Sequence, residues 1–214
     1  MAVLEEARGL GFLGPGPAAE HLAHARAYLR VGALADGALG DGALRDGAFS
    51  TGYLRLLDLG SGGGVPGLVL AVDMPSSRWV LLDAGARRTA FLSTAVEQLK
   101  LEARVEVVTG RAEEVGRDPL HRRAYSVVVA RSFGRPAVVA ECAAPFLELG
   151  GGLVVSEPPD ERNDRWPSHE LGQLGLRMVG RSSDPPHLVV LRQESLCPER
   201  FPRRVGVPAK RPLW

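Results

Sequence analysis

The stretch LRLLDLGSGGGVPG, residues 54–67, decides the fold of this chain. A short apolar run, predicted as a strand over residues 53–59, leads into a glycine-rich turn and then into a helical pattern over residues 67–72. Glycines at such a turn let the backbone bend sharply and let a ligand approach without an obstructing Cβ. In open α/β sheets ligands bind at the carboxyl ends of the strands. The stretch therefore predicts an α/β domain with a ligand site at its first turn.

The spacing of the glycines indicates which kind of ligand the turn accepts. Gly60, Gly62 and Gly64 read G-x-G-x-G, and Asp58 precedes them by two positions. A dinucleotide fingerprint would need a glycine at Val65, and no G-K-[ST] follows, so a P-loop is excluded. The D-x-G-x-G-x-G form is typical of class I methyltransferases that bind S-adenosylmethionine. The alternative is a glycine-rich turn without a ligand.

The chain beyond this turn alternates between strand and helix patterns. Continuous apolar strands separated by helices indicate a mostly parallel sheet covered on both faces. The fold predicted for residues 54–196 is α/β, a Rossmann-like, doubly wound class I methyltransferase domain. The further strands are predicted over residues 79–83, 105–109, 125–130, 152–156 and 188–191, and the further helices over 87–99, 135–147 and 166–174.

The first 53 residues have a different pattern. A helix is predicted over residues 18–31, with Leu22, Ala25 and Leu29 on one face. A five-residue repeat, GALAD, GALGD, GALRD and GAFST, then begins at residue 32. Four copies would make about one coil of a pentapeptide solenoid, and solenoids need several stacked units. We therefore interpret residues 1–53 as a helix followed by a Gly/Ala/Asp-rich linker or a frayed helix.

The charge is distributed unevenly along the chain. The 214 residues carry a formal net charge of +1, which excludes a protein that is basic throughout. The last 16 residues carry a net charge of +4, so a mildly acidic body ends in a basic segment. Four prolines in the C-terminal segment, residues 197–214, argue against a regular helix there.

Composition also indicates the compartment. Cys142 and Cys197 are the two cysteines of the sequence, and they form neither a disulfide framework nor a zinc motif. Glu5 and Glu6 stand where a signal peptide would be basic. No apolar run reaches about 18 residues, so no membrane span is expected. A reduced, cytoplasmic protein without a metal site is predicted.

Three further positions qualify as ligand contacts. Asp83 ends the second strand, where an acid accepts hydrogen bonds from ribose hydroxyls or, alternatively, caps the next helix. The turn at residues 110–114 offers backbone groups to an adenine edge, or it is the start of a short acidic helix. Arg131 ends the fourth strand, where it would pair with the carboxylate of the methyl donor, with a substrate phosphate, or with Glu113.

Several of these stretches together resemble one family. The chain is similar to the bacterial 16S rRNA guanine-N7 methyltransferases, the RsmG or GidB family, over about residues 54–157 and 188–213. That resemblance implies a class I methyltransferase fold, S-adenosylmethionine as donor, N7 of a guanine in small-subunit rRNA as acceptor, and the small ribosomal subunit as partner. The matching stretches are DLGSGGGVPG at 58–67, LLDAGARRTAFL at 81–92, GRAEE at 110–114, VVARSFG at 128–134 and FPRRVGVPAKRPL at 201–213.

The resemblance also implies site residues. Cofactor contacts are expected at Gly60, Val65, Ala112, Glu113 and Arg131 by motif match, with Asp58, Ser61, Gly62, Gly64 and Asp83 completing the glycine loop and the ribose site. Contacts to RNA phosphates are expected from Arg203, Arg204, Lys210 and Arg211.

No catalytic residue is named, because guanine N7 carries a lone pair and no proton, so methylation there needs positioning and no general base. The histidines, His21, His24, His121, His169 and His187, are interpreted as surface or capping residues.

Two departures from the family keep alternatives open. The family usually carries a longer N-terminal helical region, with an Asn-Leu-Thr stretch and a His-to-Asp-Ser-Leu stretch before the glycine loop, whereas here His21 and His24 lie in the predicted helix and the five-residue repeat follows. The fifth strand runs into Ser156-Glu157-Pro158-Pro159, where the family usually has a Lys-Gly pair. This change leaves open a methyltransferase of the same fold that acts on a small molecule or a protein. A non-enzymatic module that only binds the adenosyl ligand is the third hypothesis.

Overall fold

A computed structural model describes residues 1–31, 54–158, 165–182 and 184–214. The five-residue repeat lies outside the described residues. The strands are β1 (Leu54–Leu59), β2 (Ser77–Asp83), β3 (Val105–Thr109), β4 (Tyr125–Ala130), β5 (Leu147–Ser156), β6 (Leu176–Arg181) and β7 (Leu188–Gln193). The helices are α1 (Ala2–Gly9), α2 (Ala18–Ala27), α3 (Gly67–Asp73), α4 (Ala86–Gln98), α5 (Ala112–Val115), α6 (Pro136–Ala143), α7 (Ser168–Gln173) and α8 (Val207–Lys210), with 3₁₀ turns at Tyr28–Arg30 and Ala144–Phe146.

The seven strands form one sheet in the order β3-β2-β1-β4-β5-β7-β6. Strands β1 to β5 are parallel, and β7 runs antiparallel to both of its neighbours. The predicted mostly parallel sheet is therefore confirmed. Strand order reverses between β1 and β4, so a crevice is expected where the carboxyl ends of these two strands lie side by side.

Strand β6 was missing from the sequence prediction, and its position explains why. It lies at the edge of the sheet and pairs only with β7 in the described sheet. Met178 and Val179 are 37% and 41% exposed, so β6 lacks the continuous buried run that identifies the central strands.

Alternate residues of the central strands face two separate cores. Leu56 of β1 and Val127 of β4 pack on the face covered by α3 and α4. Leu57 and Val128 pack on the opposite face, against α6 and α7. All six residues of β4 are buried, as required of a central strand with helices on both sides.

The N-terminal helices α1 and α2 pack on the α3 and α4 side of the sheet. The predicted apolar face of α2 was only partly right: Ala25 is buried, whereas Leu22 and Leu29 are partly exposed. The residues that α2 buries instead include His21, and the following turn buries Tyr28. Both side chains end in polar groups that bind partners at the strand ends. The spacing of apolar residues gives no indication of such polar contacts.

The C-terminal segment folds back onto the domain. Cys197 and Phe201 belong to the core, and Arg122 donates hydrogen bonds to the carbonyl oxygens of both residues. The carboxylate of Glu141 is fully buried and binds the guanidinium of Arg203. The segment contains the one-turn helix α8, contrary to the prediction, because Pro208 stands in its first turn, where no amide donor is needed.

A substitution at Gly67, the first residue of α3, tests how tightly the chain packs below the glycine loop. A Cβ at this position would lie 2.5 Å from Oδ2 of Asp58. We expect Gly67→Ala to lower the free energy of unfolding by roughly 1–3 kcal/mol, since neither group can move without strain. Gly172→Ala on α7 is the matched control, because no described residue lies within 4 Å of its Cβ position, and it should be neutral or stabilising by up to about 1 kcal/mol. Urea unfolding measures both, and a Gly67→Ala protein as stable as the wild type would contradict this packing.

Candidate cofactor site

A cavity of about 260 Å³ opens at the carboxyl ends of the parallel strands. Four of the predicted cofactor residues line it, namely Gly60, Asp83, Ala112 and Glu113. They come from the turns after β1, β2 and β3, which are far apart in sequence. Among the residues the structure describes, no group of three or more His, Cys, Asp or Glu side chains is arranged to hold a metal ion, and no helix is long and apolar enough to cross a membrane.

Gly60 forms the floor of the cavity through its backbone. Its φ of +77° lies in the left-handed region, and a Cβ would lie 2.6 Å from the Phe133 ring. The amides of Gly60 and Ser61 both donate to the carbonyl oxygen of Leu82, at 2.8 and 3.0 Å. The loop is thereby held against β2, with its backbone facing the cavity.

Asp83 connects two glycine turns. Its Oδ2 accepts a hydrogen bond from the amide of Gly62 at 2.9 Å, and its Oδ1 accepts one from the amide of Gly85 at 2.8 Å. Arg88 adds a contact of 3.3 Å to Oδ1. Gly85 is the residue before α4, so Asp83 does not cap the first turn of that helix. The side chain is 5% exposed, at the cavity wall, and carboxylate oxygens can accept additional hydrogen bonds there.

Asp58 lies beneath the loop and is 1% exposed. Its Oδ2 accepts a hydrogen bond from the amide of Gly67 at 2.9 Å. Its Oδ1 is buried without a hydrogen-bond partner among the described residues. Burial raises the pKa of Asp58 to about 7. An unsatisfied buried carboxylate oxygen costs free energy, and the raised pKa favours the neutral, protonated carboxyl group, which lowers that cost.

The other predicted loop residues support the loop without lining the cavity. Gly64 has a φ of +88°, and a Cβ there would lie 2.9 Å from Leu68. Val65 packs with Leu4 in a small apolar cluster under α1. Ser61 donates its hydroxyl to the carbonyl oxygen of Asp58 at 3.0 Å. These residues hold in place the loop whose first glycine, Gly60, lines the cavity.

The first turn of α5 forms the opposite wall of the cavity. A short acidic helix does begin at Ala112, and Ala112 and Glu113 of its first turn line the cavity. Glu113 accepts hydrogen bonds from the amide of Gly206 at 2.9 Å and from Arg111 at 3.3 Å. Arg111, and not Arg131, is therefore the arginine that pairs with Glu113.

Arg131 lies at the end of β4, beside the cavity rather than in its lining. Its guanidinium donates a hydrogen bond to Nδ1 of His21 at 2.9 Å. The interpretation of the histidines as surface or capping residues is wrong for His21, which is 3% exposed, and for His121, which is buried and bonded to Tyr125. Lone histidines in a helical pattern give no sign of such distant partners.

The predicted RNA-contacting residues divide into two sets. Arg203 is engaged with Glu141 through its side chain and its backbone amide. Arg204, Lys210 and Arg211 are exposed. Ala209, which directly precedes Lys210 and Arg211 in the sequence, lines the cavity.

Sequence reasoning missed several residues of the cavity wall. Phe133 follows Arg131 by two positions, and an aromatic residue just after a strand end was a usable signal. Ala209 gave no signal, because it reaches the cavity only through the folding of the C-terminal segment. The other wall residues that were missed are Leu59, Leu82, Ala84, Arg88, Ser132, Val138 and Cys142.

The buried Asp58 carboxylate gives the stability of the fold a specific pH dependence. Its pKa rises from 3.8 to about 7 on folding, so its contribution is full below pH 4 and is lost as the pH rises through 7. Asp58→Asn keeps an acceptor for Gly67 and removes the charge. We expect this variant to be more stable than the wild type at pH 8, by roughly 2–4 kcal/mol, and equal to it near pH 4. Urea unfolding at both pH values measures this, with Asp184→Asn on an exposed turn as the control; a difference that does not change with pH would contradict the assignment.

Two solved structures have the same fold as this chain. TYW2 from P. horikoshii in complex with MeSAdo aligns with a TM-score of 0.52 at 15% identity, covering 67% of this chain and 58% of that one. A methylase from Haemophilus influenzae, described as putative in its structure, aligns with a TM-score of 0.52 at 14% identity, covering 67% and 81%. At these identities the likeness supports the class I methyltransferase fold and nothing finer.

Sequence comparison is more specific. A family model described as rRNA small subunit methyltransferase G matches residues 43–161. Proteins named ribosomal RNA small subunit methyltransferase G from Prochlorococcus marinus MIT 9313 and Rubrobacter xylanophilus are 38% and 36% identical over 74% of this chain, covering 68% and 65% of their own lengths. These matches confirm the resemblance found in the motifs. The chain belongs to the rRNA small subunit methyltransferase G family and is an S-adenosylmethionine-dependent methyltransferase.

Proposed function

We propose that this protein transfers a methyl group from S-adenosylmethionine to N7 of a guanine in 16S rRNA. The observation that carries the proposal is the cavity at the carboxyl ends of β1, β2 and β3, where Gly60, Asp83, Ala112 and Glu113 meet in a member of this family.

The residues around the cavity fit the cofactor. Asp83 would hold the ribose hydroxyls, since its carboxylate faces the cavity. The turn at Ala112 and Glu113 would face the edge of the adenine ring, and the apolar side chains of Phe133 and Val138 would cover its plane.

The chemistry asks little of the side chains. The cofactor supplies an electrophilic methyl group on a sulfonium. Because guanine N7 presents a lone pair without a proton, no side chain has to remove one. The protein's contribution is to hold the two reactants in line and to exclude water, and such positioning supplies several kcal/mol. A site rich in backbone contacts and apolar walls suits this task.

The C-terminal segment supplies the RNA contacts in this proposal. Arg204, Lys210 and Arg211 are exposed, and Ala209, which directly precedes Lys210 in the sequence, lines the cavity. Arg203 takes a supporting role, because its ion pair with Glu141 anchors the segment. We further propose that the acceptor is presented on the small ribosomal subunit in the cytoplasm.

The acid after β5 does not oppose an RNA substrate. Glu157 accepts hydrogen bonds from Nε of Arg165 at 2.6 Å and from Nη2 of the same guanidinium at 3.3 Å. The carboxylate is 7% exposed, and its charge is compensated by this pair. This departure from the family therefore leaves the rRNA substrate as the better-supported reading.

Transfer of a labelled methyl group to purified 30S subunits tests the reaction. We expect incorporation by the wild type and none by Gly60→Arg, because any side chain at residue 60 collides with Phe133 and fills the cavity. Gly9→Arg on the exposed side of α1 adds the same charge at a position whose Cβ would have no atom within 4 Å in the described part of the chain, so it should retain activity. Label that resists RNase in cell extracts would favour a small-molecule or protein acceptor instead. Calorimetry without any cofactor binding would remove all the methyltransferase hypotheses.

The exposed cations predict a change in salt dependence. Replacing Arg204, Lys210 and Arg211 by Gln should lower the slope of log Kd for 16S rRNA against log salt by roughly 2, at about 0.7–0.9 per lost phosphate contact. Filter binding between about 50 and 200 mM salt, where the loss of phosphate contacts changes affinity steeply, measures the slope.

The control for this experiment removes the same charge from the opposite end of the sheet. Lys100, Arg104 and Arg177 lie before β3 or at the start of β6, away from the cavity. Their replacement by Gln should leave the slope near the wild-type value. Equal losses in both triple variants would contradict an RNA contact localised on the C-terminal segment.

A further inference from the structure

One face of α2 and of the turn that follows it reaches the ends of the central strands. Tyr28 donates its hydroxyl to the carbonyl oxygen of Ala130 at 2.9 Å. Nε2 of His24 lies 3.0 Å from the hydroxyl of Ser156, at the end of β5. These two residues and His21 are spaced by three and four positions, so they share one helical face. This face docks α2 over the carboxyl ends of β4 and β5.

The contact between His21 and Arg131 has a defined polarity. A guanidinium only donates, so Nδ1 of His21 must accept the hydrogen bond of 2.9 Å. The proton of the neutral imidazole is then on Nε2, which donates to the carbonyl oxygen of Gly14 at 3.1 Å. The Gly14 carbonyl thereby fixes the tautomer that presents a lone pair to Arg131.

Two further groups surround the guanidinium of Arg131, an uncharged imidazole on one side and a buried carboxyl group on the other. Burial, followed by the charge of Arg131, lowers the pKa of His24 to about 4, so this second imidazole on α2 carries no charge at pH 7. Asp58 of β1 and Tyr28 also face Arg131 electrostatically. Arg131 therefore lies between neutral imidazoles and a buried carboxyl group.

We propose that His21 is a positioning residue that fixes the guanidinium of Arg131 for the carboxylate of S-adenosylmethionine. Nδ1 of His21 accepts a hydrogen bond from one N–H group of the guanidinium. The remaining N–H groups can bind a carboxylate in the planar geometry that arginine favours. Arg131 is half-buried at a strand end beside the cofactor cavity, where such a clamp is useful. The inference rests on the proposed role of the site as a cofactor site and adds the N-terminal helix to it.

Two nearly isosteric substitutions separate positioning from folding. The amide oxygen of His21→Asn stands close to the place of Nδ1 and can accept from Arg131. The amide of His21→Gln stands close to the place of Nε2, so it keeps the contact to Gly14 and loses Arg131. We expect calorimetry with S-adenosylmethionine to show about tenfold weaker binding by His21→Gln, the effect of one charge-assisted hydrogen bond, and binding within about threefold of wild type by His21→Asn.

A double-mutant cycle with Arg131→Met tests whether His21 acts through Arg131. Arg131→Met should weaken cofactor binding, and adding His21→Gln should weaken it no further. The inference is overturned if His21→Gln binds like the wild type, if His21→Asn is as defective as His21→Gln, if Arg131→Met has no effect, or if the two losses multiply. Melting temperatures accompany every variant, and His21→Ala enters the same cycle if the Gln variant does not fold. His169→Gln, on an exposed residue of α7, is the control and should bind normally.

These measurements use the cofactor alone and need no RNA. A protein that passes the cycle but methylates no 30S subunit would retain the positioning role and lose the proposed acceptor. A protein that methylates 30S subunits but shows multiplied losses would keep the proposed function and lose the positioning role.

Discussion

The hydrogen bond between the buried carboxylate of Asp58 and the amide of Gly67 is the contact on which the cofactor site depends. It joins the end of β1 to the start of α3 and so fixes the span of the glycine loop between them. Only a residue without a Cβ fits at position 67, because the carboxylate fills that space. The second oxygen of Asp58 has no partner among the described residues, so the fold carries a desolvation cost directly beneath the glycine loop.

Two segments outside the central domain complete the surroundings of this loop from opposite sides. From the N-terminal side, α2 brings His21 to Arg131 at the end of β4. From the C-terminal side, the segment after β7 brings Gly206 to Glu113 and Ala209 to the cavity wall. The sheet places the ends of β1 to β4 side by side. The two flanking segments then bind Arg131 and Glu113 near those ends.

The sequence allowed the central sheet and the glycine loop to be predicted because both depend on short-range patterns. Apolar runs identified β1, β2, β4 and β5, alternation identified β3, and the spacing of Gly60, Gly62 and Gly64 identified the turn. Edge strand β6 escaped because half of its side chains are exposed. His21 was misread because its partner is 110 positions away along the chain, and Ala209 was missed for the same reason. Partners brought together by tertiary packing leave no periodic signal.

The C-terminal segment also constrains how this protein can evolve. Within nine residues it contains an anchor at Arg203, a backbone donor at Gly206, a cavity wall at Ala209 and three exposed cations. A substitution that alters the backbone of this segment changes the cofactor cavity and the charged surface together. An insertion or deletion in this segment would therefore disturb both properties at once, whereas a substitution at one exposed cation would alter the charged surface alone.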